Sequence, residues 1–181
     1  ETVKNPLFDR VVPLFSDKDF VVIPGLAAWL LGFWLGGRRT RLYLAALLLA
    51  VGVSNLTTEQ GLKNLFREKR PYAALEGVNL FRGGEWRAYD PALYASDPRQ
   101  SHSFPSSHAA NAAAVTTVLG LWNPVTLWGT APLALLVGFS RVYTGNHYPI
   151  DVLGGLAWGA LCGWAGAAVV DPRAVVAAGA V

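Results

Sequence analysis

Long apolar runs separated by short polar connections dominate the sequence. The first run, residues 20–37, carries no charge, and four more follow at 42–66, 107–122, 125–143 and 149–170. A helix needs about 20 predominantly apolar residues to cross the hydrocarbon core of a bilayer. The pattern therefore predicts an all-α, polytopic bundle of about five transmembrane helices.

Two stretches depart from this pattern. Residues 1–19 mix charged with apolar side chains, which favours an amphipathic helix at the membrane interface. Residues 72–105 form a polar loop, and a connection of this length is usually functional or disordered. Pro71 is expected to end the helix before this loop, because a residue that precedes proline avoids the α conformation. We therefore divide the chain into an interfacial segment, 1–19, and a transmembrane domain, 20–173, that carries the loop.

The composition is typical of a membrane protein. The chain is 52% hydrophobic and only 15% charged, whereas soluble domains carry about 25% charged residues. Its 15 basic side chains exceed its 12 acidic ones, but so apolar a chain is a poor candidate for binding nucleic acid. The single cysteine, Cys162, cannot form an internal disulfide and is expected to serve packing.

Polar residues of the apolar runs are predicted to gather at one membrane face. Counting the crossings places the end of the second run, the start of the third, the end of the fourth and the start of the fifth on the same side. Arginine forks and a lysine charge suit a phosphoryl dianion, and PSSH at 105–108 adds the backbone amides of a helix N-terminus. The pattern therefore predicts a phosphate site built from three cations, two histidines and one carboxylate: Lys63, Arg70, Arg141, His108, His147 and Asp151.

Three segments around these residues show a family resemblance. KNLFREKRP at 63–71, PSSH at 105–108 and SRVYTGNHYPID at 140–151 resemble, in order and spacing, three signatures of the type 2 phosphatidic acid phosphatase (PAP2) superfamily. Those signatures are K-x6-R-P, P-S-G-H and S-R-x5-H-x3-D, and the resemblance implies a PAP2/haloperoxidase-like helical core. Ser107 stands where the family usually has glycine. Serine is expected to be tolerated there, because φ is negative at the first position of a helix.

The resemblance also implies a reaction. In it, His147 is the nucleophile and forms a phosphohistidine, Asp151 orients the His147 ring, and His108 protonates the leaving oxygen and later activates water. The resemblance implies neither a metal nor another cofactor. The residues that it implies for binding the phosphate oxygens are Lys63, Arg70, Ser106, Ser107 and Arg141.

The predicted substrate is a lipid-linked phosphate, whose headgroup reaches the basic site while its tail stays in the bilayer. The candidates are undecaprenyl pyrophosphate, phosphatidylglycerol phosphate, phosphatidic acid and the phosphate of lipid A. Three alternatives stay open: a lipid phosphotransferase, a non-catalytic lipid-binding or transport protein on the same scaffold, and a vanadium haloperoxidase, although haloperoxidases are soluble and far larger. Membrane lipids are the expected partners, and the oligomeric state is left open.

Two indications of membrane orientation oppose each other. Basic residues are more numerous on the active face, which favours the cytoplasm by the positive-inside rule. Several of those cations serve phosphate, however, and RRTR at 38–41 is a compact basic turn between two runs on the opposite side. Bacterial relatives that the chain resembles usually act on the outer side of the inner membrane. We therefore predict a multi-pass protein of the bacterial inner membrane with a periplasmic, extracytoplasmic active site.

Three further polar residues flank the motifs. Glu59 lies four residues before Lys63, which is the favourable orientation for a helical ion pair. Asn111, one turn after His108, is predicted either to pack between helices or to brace the site. His102 lies outside the motifs and is expected to be a solvated loop residue.

Overall fold

The computed structural model describes residues 5–88 and 102–171. Two strands, β1 (Asn79–Arg82) and β2 (Glu85–Ala88), lie in the predicted loop. The other elements are helical: α1 (Pro6–Val11), a 3-10 turn (Val12–Ser16), α2 (Lys18–Leu35), α3 (Arg38–Leu56), a π-helical segment (Thr57–Leu62), α4 (Lys63–Phe66), α5 (Pro71–Ala74), α6 (Ser107–Trp122), a 3-10 turn (Pro124–Thr126), α7 (Leu127–Tyr143) and α8 (Pro149–Val170).

The predicted all-α transmembrane bundle is confirmed. Within the described residues, three helical stretches are long and apolar enough to cross a membrane: Arg38–Ala74, Pro124–Tyr143 and Pro149–Val170. A fourth is added if Pro6–Ser16 and Asp19–Leu35, which meet at an angle of 49°, form one broken span. The remaining long helix, α6, has 16 residues and is shorter than these stretches. The number of five spans therefore stays a prediction.

α6 packs against α3, α7 and α8. Its approach to α8 is close, because a Cβ at Gly155 or Gly159 would overlap the backbone carbonyl of Ser106 or Ala110. Small residues of this kind let two transmembrane backbones pack together where the hydrophobic effect does not drive association. A buried cluster of mostly small side chains joins α3, α6 and α8: Tyr43, Ala46, Ala50, Ala114, Val118 and Ala167.

Two helix boundaries differ from the predictions. The RRTR segment is the first turn of α3 and not a separate turn, because the chain reverses at Gly36 and Gly37, which have extended backbones. The helix before the predicted loop ends at Phe66 and not at Pro71, because Arg67 takes the left-handed conformation with φ 52°. Arg70 is extended, as expected before a proline, but Pro71 begins α5.

The predicted loop 72–105 contains regular structure that the pattern of polar residues does not predict. β1 and β2 form an antiparallel hairpin in which Arg82 pairs with Glu85. Gly83 and Gly84 connect the strands with φ of 64° and 84°, values that glycine adopts readily and that two-residue hairpins favour. The hairpin is tied to the end of α7, where the Phe81 amide donates to the Thr144 carbonyl oxygen at 3.2 Å. Residues 89–101 of this loop lie outside the described residues.

The amino-terminal segment lies at the same end of the bundle as this hairpin. The indole of Trp86 in β2 donates to the Asp9 carbonyl oxygen at 3.1 Å, and the Tyr143 hydroxyl donates to Asp9 Oδ1 at 2.8 Å. Several apolar side chains of α1 and the following turn are exposed, namely Leu7, Phe8, Val11 and Leu14. An interfacial role for this segment and its boundary at residue 19 stay predictions.

Candidate active site

The three motif segments meet at one end of the bundle. α4 and α7 end there, and α6 and α8 begin there. Nη1 of Arg70 donates to the Asn146 carbonyl oxygen at 3.2 Å, which joins the first segment to the third. The Ser106 amide donates to the Asp151 carbonyl oxygen at 2.9 Å, which joins the second segment to the third. Residues that are far apart in the sequence therefore form one site.

The site is buried and carries positive charge. Moving a cation out of water is costly unless an anion or a set of hydrogen bonds compensates for it. The site holds three buried cations but only one fully buried carboxylate, Asp151, so a bound anion would stabilise it. The predicted site residues with at most 9% exposure are Lys63, Arg70, Ser106, Ser107, Arg141, His147 and Asp151.

His147 lies in the turn between α7 and α8, and both nitrogens of its ring have polar neighbours. Nε2 is 3.3 Å from Nη1 of Arg70, and Nδ1 is 3.4 Å from Oδ2 of Asp151. A guanidinium can only donate hydrogen bonds, so Nε2 is the acceptor and the ring proton belongs to Nδ1, facing the carboxylate. Nε2 therefore carries the lone pair that a nucleophile needs.

The pKa of the His147 imidazole is lowered to about 4. Burial is the largest cause, and the hydrogen bond with Asp151 opposes it, while the positive charges of Arg70 and Arg141 add to the lowering. The ring is therefore neutral at physiological pH, which is the form in which its lone pair is available.

Asp151 is held in place by the start of α8. Pro149 occupies the first helical position, for which its fixed φ and missing N–H are suited. Two residues later, Oδ2 of Asp151 accepts the Tyr148 amide at 2.8 Å. The same oxygen also accepts the hydroxyl proton of Ser103. The carboxylate therefore meets His147 with its orientation set by two other donors.

His108 is the second residue of α6, and its side chain is exposed, in contrast to that of His147. It borders a cavity of about 710 Å³ between α2, α3, α6 and α7. His108 interacts electrostatically with the positive charges of Arg141, Lys63 and Arg70, and with the His147 ring. His108 is therefore the histidine of the site that faces an open volume.

Most of the cavity wall is apolar and comes from faces of α2, α3, α6 and α7. Polar side chains also border it along the seam between α3 and α6, where Nδ2 of Asn111 is 3.4 Å from Oδ1 of Asn55. Asn111 thus links two helices and also lines the cavity, so both predicted roles are compatible with its position. A long apolar chain whose polar end is at His108 suits this shape.

Several buried polar atoms of the site have no hydrogen-bond partner in the part of the chain that the structure describes. They include the Ser106 hydroxyl, Nε of Arg141 and Oδ1 of Asp151. Ser106 occupies the N-cap position of α6, yet its side chain does not cap the helix. Buried polar groups are nearly always hydrogen-bonded, so two unpaired donors beside the histidines favour a ligand site over simple packing.

Lys63 is positioned by the π-helical segment Thr57–Leu62, after which the Lys63 amide donates to the Thr58 carbonyl oxygen five residues back. π-helical turns occur frequently at functional sites. The Lys63 ammonium group donates to Oε1 of Glu59 at 2.6 Å, which is the ion pair that their spacing predicts. The same carboxylate accepts the Ser107 hydroxyl proton. Glu59 therefore connects the first motif segment to the second.

Ser103 belongs to the site although the motif pattern does not reveal it. This side chain is fully buried, contacts Asp151, and lies 3.5 Å from Nδ1 of His147 although it belongs to none of the three segments. The signal available in the sequence was the hydroxyl-rich turn SFPSSH at 103–108. Its neighbour His102 is partly buried and not fully solvated as expected.

Comparisons with known proteins give the family. The PAP2 superfamily model matches residues 39–174. Undecaprenyl-diphosphatase BcrC of Bacillus subtilis is 28% identical over 164 residues, which cover 88% of this chain and 74% of that protein.

Two solved structures share the fold. The crystal structure of Aquifex aeolicus LpxE superposes with a TM-score of 0.65 at 28% identity, over 91% of this chain and 87% of that one. A transmembrane PAP2-type phosphatidylglycerolphosphate phosphatase from Bacillus subtilis superposes with a TM-score of 0.66 at 24% identity, over 94% of this chain and 80% of that one. The chain therefore belongs to the PAP2 superfamily, with the fold of its transmembrane members.

Proposed function

We propose that the chain hydrolyses a lipid diphosphate or phosphate monoester through a phosphohistidine on His147, with a polyprenyl diphosphate such as undecaprenyl pyrophosphate as its preferred substrate. One observation carries the proposal: the neutral, buried His147 ring directs the Nε2 lone pair toward Arg70 and the Nδ1 proton toward Asp151. This arrangement is suited to a nucleophile beside a cation that binds the substrate.

Binding of the phosphate and activation of the nucleophile are coupled in this proposal. Non-bridging oxygens accept hydrogen bonds from Arg70, Arg141 and Lys63, together with the Ser106 hydroxyl and the amides at the start of α6. Charge-assisted bonds of this kind are stronger than neutral ones. Because Nη1 of Arg70 contacts Nε2 of His147 in the structure, a move of this group to a phosphoryl oxygen frees the lone pair for attack.

In the first chemical step, a bond forms between Nε2 of His147 and phosphorus, and the bond from phosphorus to the leaving oxygen breaks. His108 donates a proton to that oxygen, so that the lipid monophosphate or lipid alcohol leaves in a stable protonation state. The bound phosphate dianion favours the protonated form of His108 beforehand. Asp151 accepts the Nδ1–H bond throughout and stabilises the cationic phosphohistidine, as the carboxylate of a catalytic triad does.

In the second step, neutral His108 removes a proton from water, whose oxygen attacks phosphorus. The bond between Nε2 and phosphorus breaks, inorganic phosphate is released, and His147 returns to its starting state. The cations stabilise the charge on the non-bridging oxygens in both transition states. A lipid phosphotransferase would use the same first step and a different acceptor in the second.

The cavity and the comparisons support the choice of substrate. A polyprenyl chain has no ester or sugar groups, and the apolar cavity wall beside His108 matches such a chain. The Bacillus relative that covers most of this chain is an undecaprenyl-diphosphatase. A diphosphate also has more oxygens than a monoester, so it can form hydrogen bonds with all three cations more completely.

The proposal is tested by measuring phosphate release from four lipids in detergent micelles: undecaprenyl pyrophosphate, phosphatidylglycerol phosphate, phosphatidic acid and lipid A. We expect the highest kcat/KM with the polyprenyl diphosphate, no turnover in His147→Gln, and wild-type activity in the matched control His102→Gln. Full activity in His147→Gln would refute the mechanism, and a preference for another lipid would refute the substrate assignment.

The same assay tests metal independence and the identity of the acceptor. Within residues 5–88 and 102–171, no group of three or more His, Cys, Asp or Glu side chains is placed to hold a metal ion. We expect activity to persist in excess chelator. We also expect vanadate to inhibit it, because vanadate resembles the phosphoryl group in the transition state of its transfer. Release of phosphate in equal amount to the lipid product indicates hydrolysis, whereas a phosphorylated acceptor indicates transfer.

A further inference from the structure

We propose that Ser103 is a positioning residue of the active site, whose hydroxyl holds the Asp151 carboxylate and thereby keeps the ring proton of His147 on Nδ1. The inference rests on the proposed phosphohistidine mechanism, in which Nε2 must carry the lone pair. Ser103 precedes the second motif segment by two residues and is fully buried.

The position of Ser103 is fixed from two directions. Its amide donates to the Glu68 carbonyl oxygen at 2.8 Å, within the first motif segment. The neighbouring Phe104 ring packs edge-on against Phe66, with centroids 4.8 Å apart. The same ring packs on α8 at Gly154, where a Cβ would come within 2.5 Å of it. Ser103 is therefore held between the loop that carries Arg70 and the helix that carries Asp151.

The hydroxyl of Ser103 selects one tautomer of His147. Its single proton is donated to Oδ2 of Asp151, so only its oxygen lone pairs remain to face Nδ1 of His147 at 3.5 Å. Lone pairs at that place favour a proton on Nδ1 and disfavour a bare nitrogen. Ser103 and Asp151 therefore present two acceptors to the same ring nitrogen.

Without this hydroxyl, the carboxylate loses a donor that it does not replace. Oδ2 of Asp151 would keep the Tyr148 amide at 2.8 Å and the contact of 3.4 Å with His147. Oδ1 has no hydrogen-bond partner among the described residues. The carboxyl group would then be free to rotate about its bond to the side chain, and the preference for a proton on Nδ1 would weaken.

The test compares Ser103→Ala with Ser103→Thr, which restores a hydroxyl, and with Ser54→Ala as a matched control. Ser54 is a buried serine of α3 whose hydroxyl has no partner within the described ranges. We expect kcat to fall roughly 10-fold in Ser103→Ala while KM changes less than about twofold, which is the loss of one hydrogen bond to a charged group. Ser103→Thr should recover most of the activity, and Ser54→Ala should match the wild type.

A second measurement does not depend on turnover. ¹⁵N NMR of histidine-labelled protein in detergent, with His147→Gln to assign the resonance, reports which ring nitrogen carries the proton. We expect the Nδ1–H form in the wild type and in Ser103→Thr, and a mixture of tautomers in Ser103→Ala.

The outcomes separate this inference from the proposed function. An unchanged kcat together with an unchanged ¹⁵N spectrum in Ser103→Ala refutes the role of Ser103, even if the wild type is an active phosphatase. If the wild type releases phosphate from none of the lipids, the proposed function fails, and the ¹⁵N spectra alone decide whether Ser103 sets the tautomer. A kcat loss that Ser103→Thr does not recover, with the tautomer unchanged, also contradicts the inference.

Discussion

Nη1 of Arg70 lies 3.3 Å from Nε2 of His147, so the residue proposed to bind phosphate covers the atom proposed to attack it. The same nitrogen of Arg70 donates to the Asn146 carbonyl oxygen at 3.2 Å, which ties the guanidinium to the turn that carries His147. In the proposed mechanism, this group must redirect a hydrogen bond from the ring to the substrate. The planar fork of arginine is suited to that exchange.

Arg70→Lys is expected to lower kcat/KM by about 10- to 100-fold, because an ammonium group cannot contact two phosphoryl oxygens as a planar fork does. Steady-state kinetics on the preferred lipid gives the value. The matched control is Arg67→Lys, a nearby exposed arginine whose Nε donates to the Asn64 carbonyl oxygen at 3.0 Å. If kcat/KM fell equally in the two variants, the loss would reflect a general effect on the electrostatics of the membrane surface and not a specific role of Arg70 in the site.

The lowered pKa of His147, about 4, predicts a defined pH dependence of stability. An unfolded histidine titrates near 6.5, so between pH 6.5 and 4 the unfolded chain binds a proton that the folded ring does not. The contribution of neutral His147 to the free energy of unfolding is therefore fully present above about pH 6.5. As the pH falls from 6.5 to 4, the protein loses up to about 3 kcal/mol of this free energy. Unfolding in detergent at several pH values measures it, and His147→Gln should lack this component. Identical pH profiles for the two proteins would contradict the assignment.

Glu59→Ala is expected to destabilise the protein by about 1–3 kcal/mol, because Lys63 is 4% exposed and would keep a buried charge without its ion-pair partner. The Ser107 hydroxyl would lose its acceptor in the same variant. Denaturant unfolding of Glu59→Ala, Lys63→Ala and the double variant forms a double-mutant cycle. We expect the double variant to lose less free energy of unfolding than the sum of the losses in the two single variants. Additive losses would show that the two charges do not interact.

Gly159→Ala is expected to destabilise the contact between α6 and α8 by about 1–3 kcal/mol and to lower activity, because the new methyl group overlaps the Ala110 carbonyl. These helices carry His108 and Asp151, so any separation of their backbones changes the site. The control is Gly129→Ala in α7, where a Cβ meets nothing within 4 Å. Thermal unfolding and phosphate release are measured on both variants, and equal behaviour of the two would show that the packing is not as close as the structure indicates.

The extracytoplasmic orientation of the site is a proposal that a fusion can test. If Arg38 and the other cations of RRTR face the cytoplasm, α8 ends on that side as well, and a reporter joined after Val181 reads as cytoplasmic. A periplasmic readout would reverse the orientation and would place the site at the cytoplasmic face, as a plain count of basic residues favours.

The meeting of the motif segments could be predicted because it follows from helix order. Each apolar run long enough to cross a bilayer moves the chain to the other face, so the number of crossings fixes which polar ends share a side. The ion pair of Glu59 with Lys63 was also predictable, since it depends only on a spacing of four residues in a helix. Neither inference needed knowledge of how the helices pack.

Other features depend on contacts that spacing does not encode. Arg67 ends its helix in a left-handed conformation, four residues before the proline that the sequence marks as the breaker. The hairpin of β1 and β2 is short, and its pairing is supported by its bond to Thr144 at the end of α7. Local propensity alone does not select such elements, because tertiary contacts override it.

Long apolar runs were sufficient to predict a membrane bundle, and counting its crossings predicted that the cations, histidines and carboxylate lie at one face. The resemblance to the PAP2 superfamily likewise needed only the order and spacing of three segments of the chain. Three features could be found only in the folded protein: which nitrogen of His147 carries the proton, the contact of Ser103 with Asp151, and the cavity beside His108. Those relationships depend on distances of a few ångströms between segments far apart in sequence, and such distances are set by backbone packing.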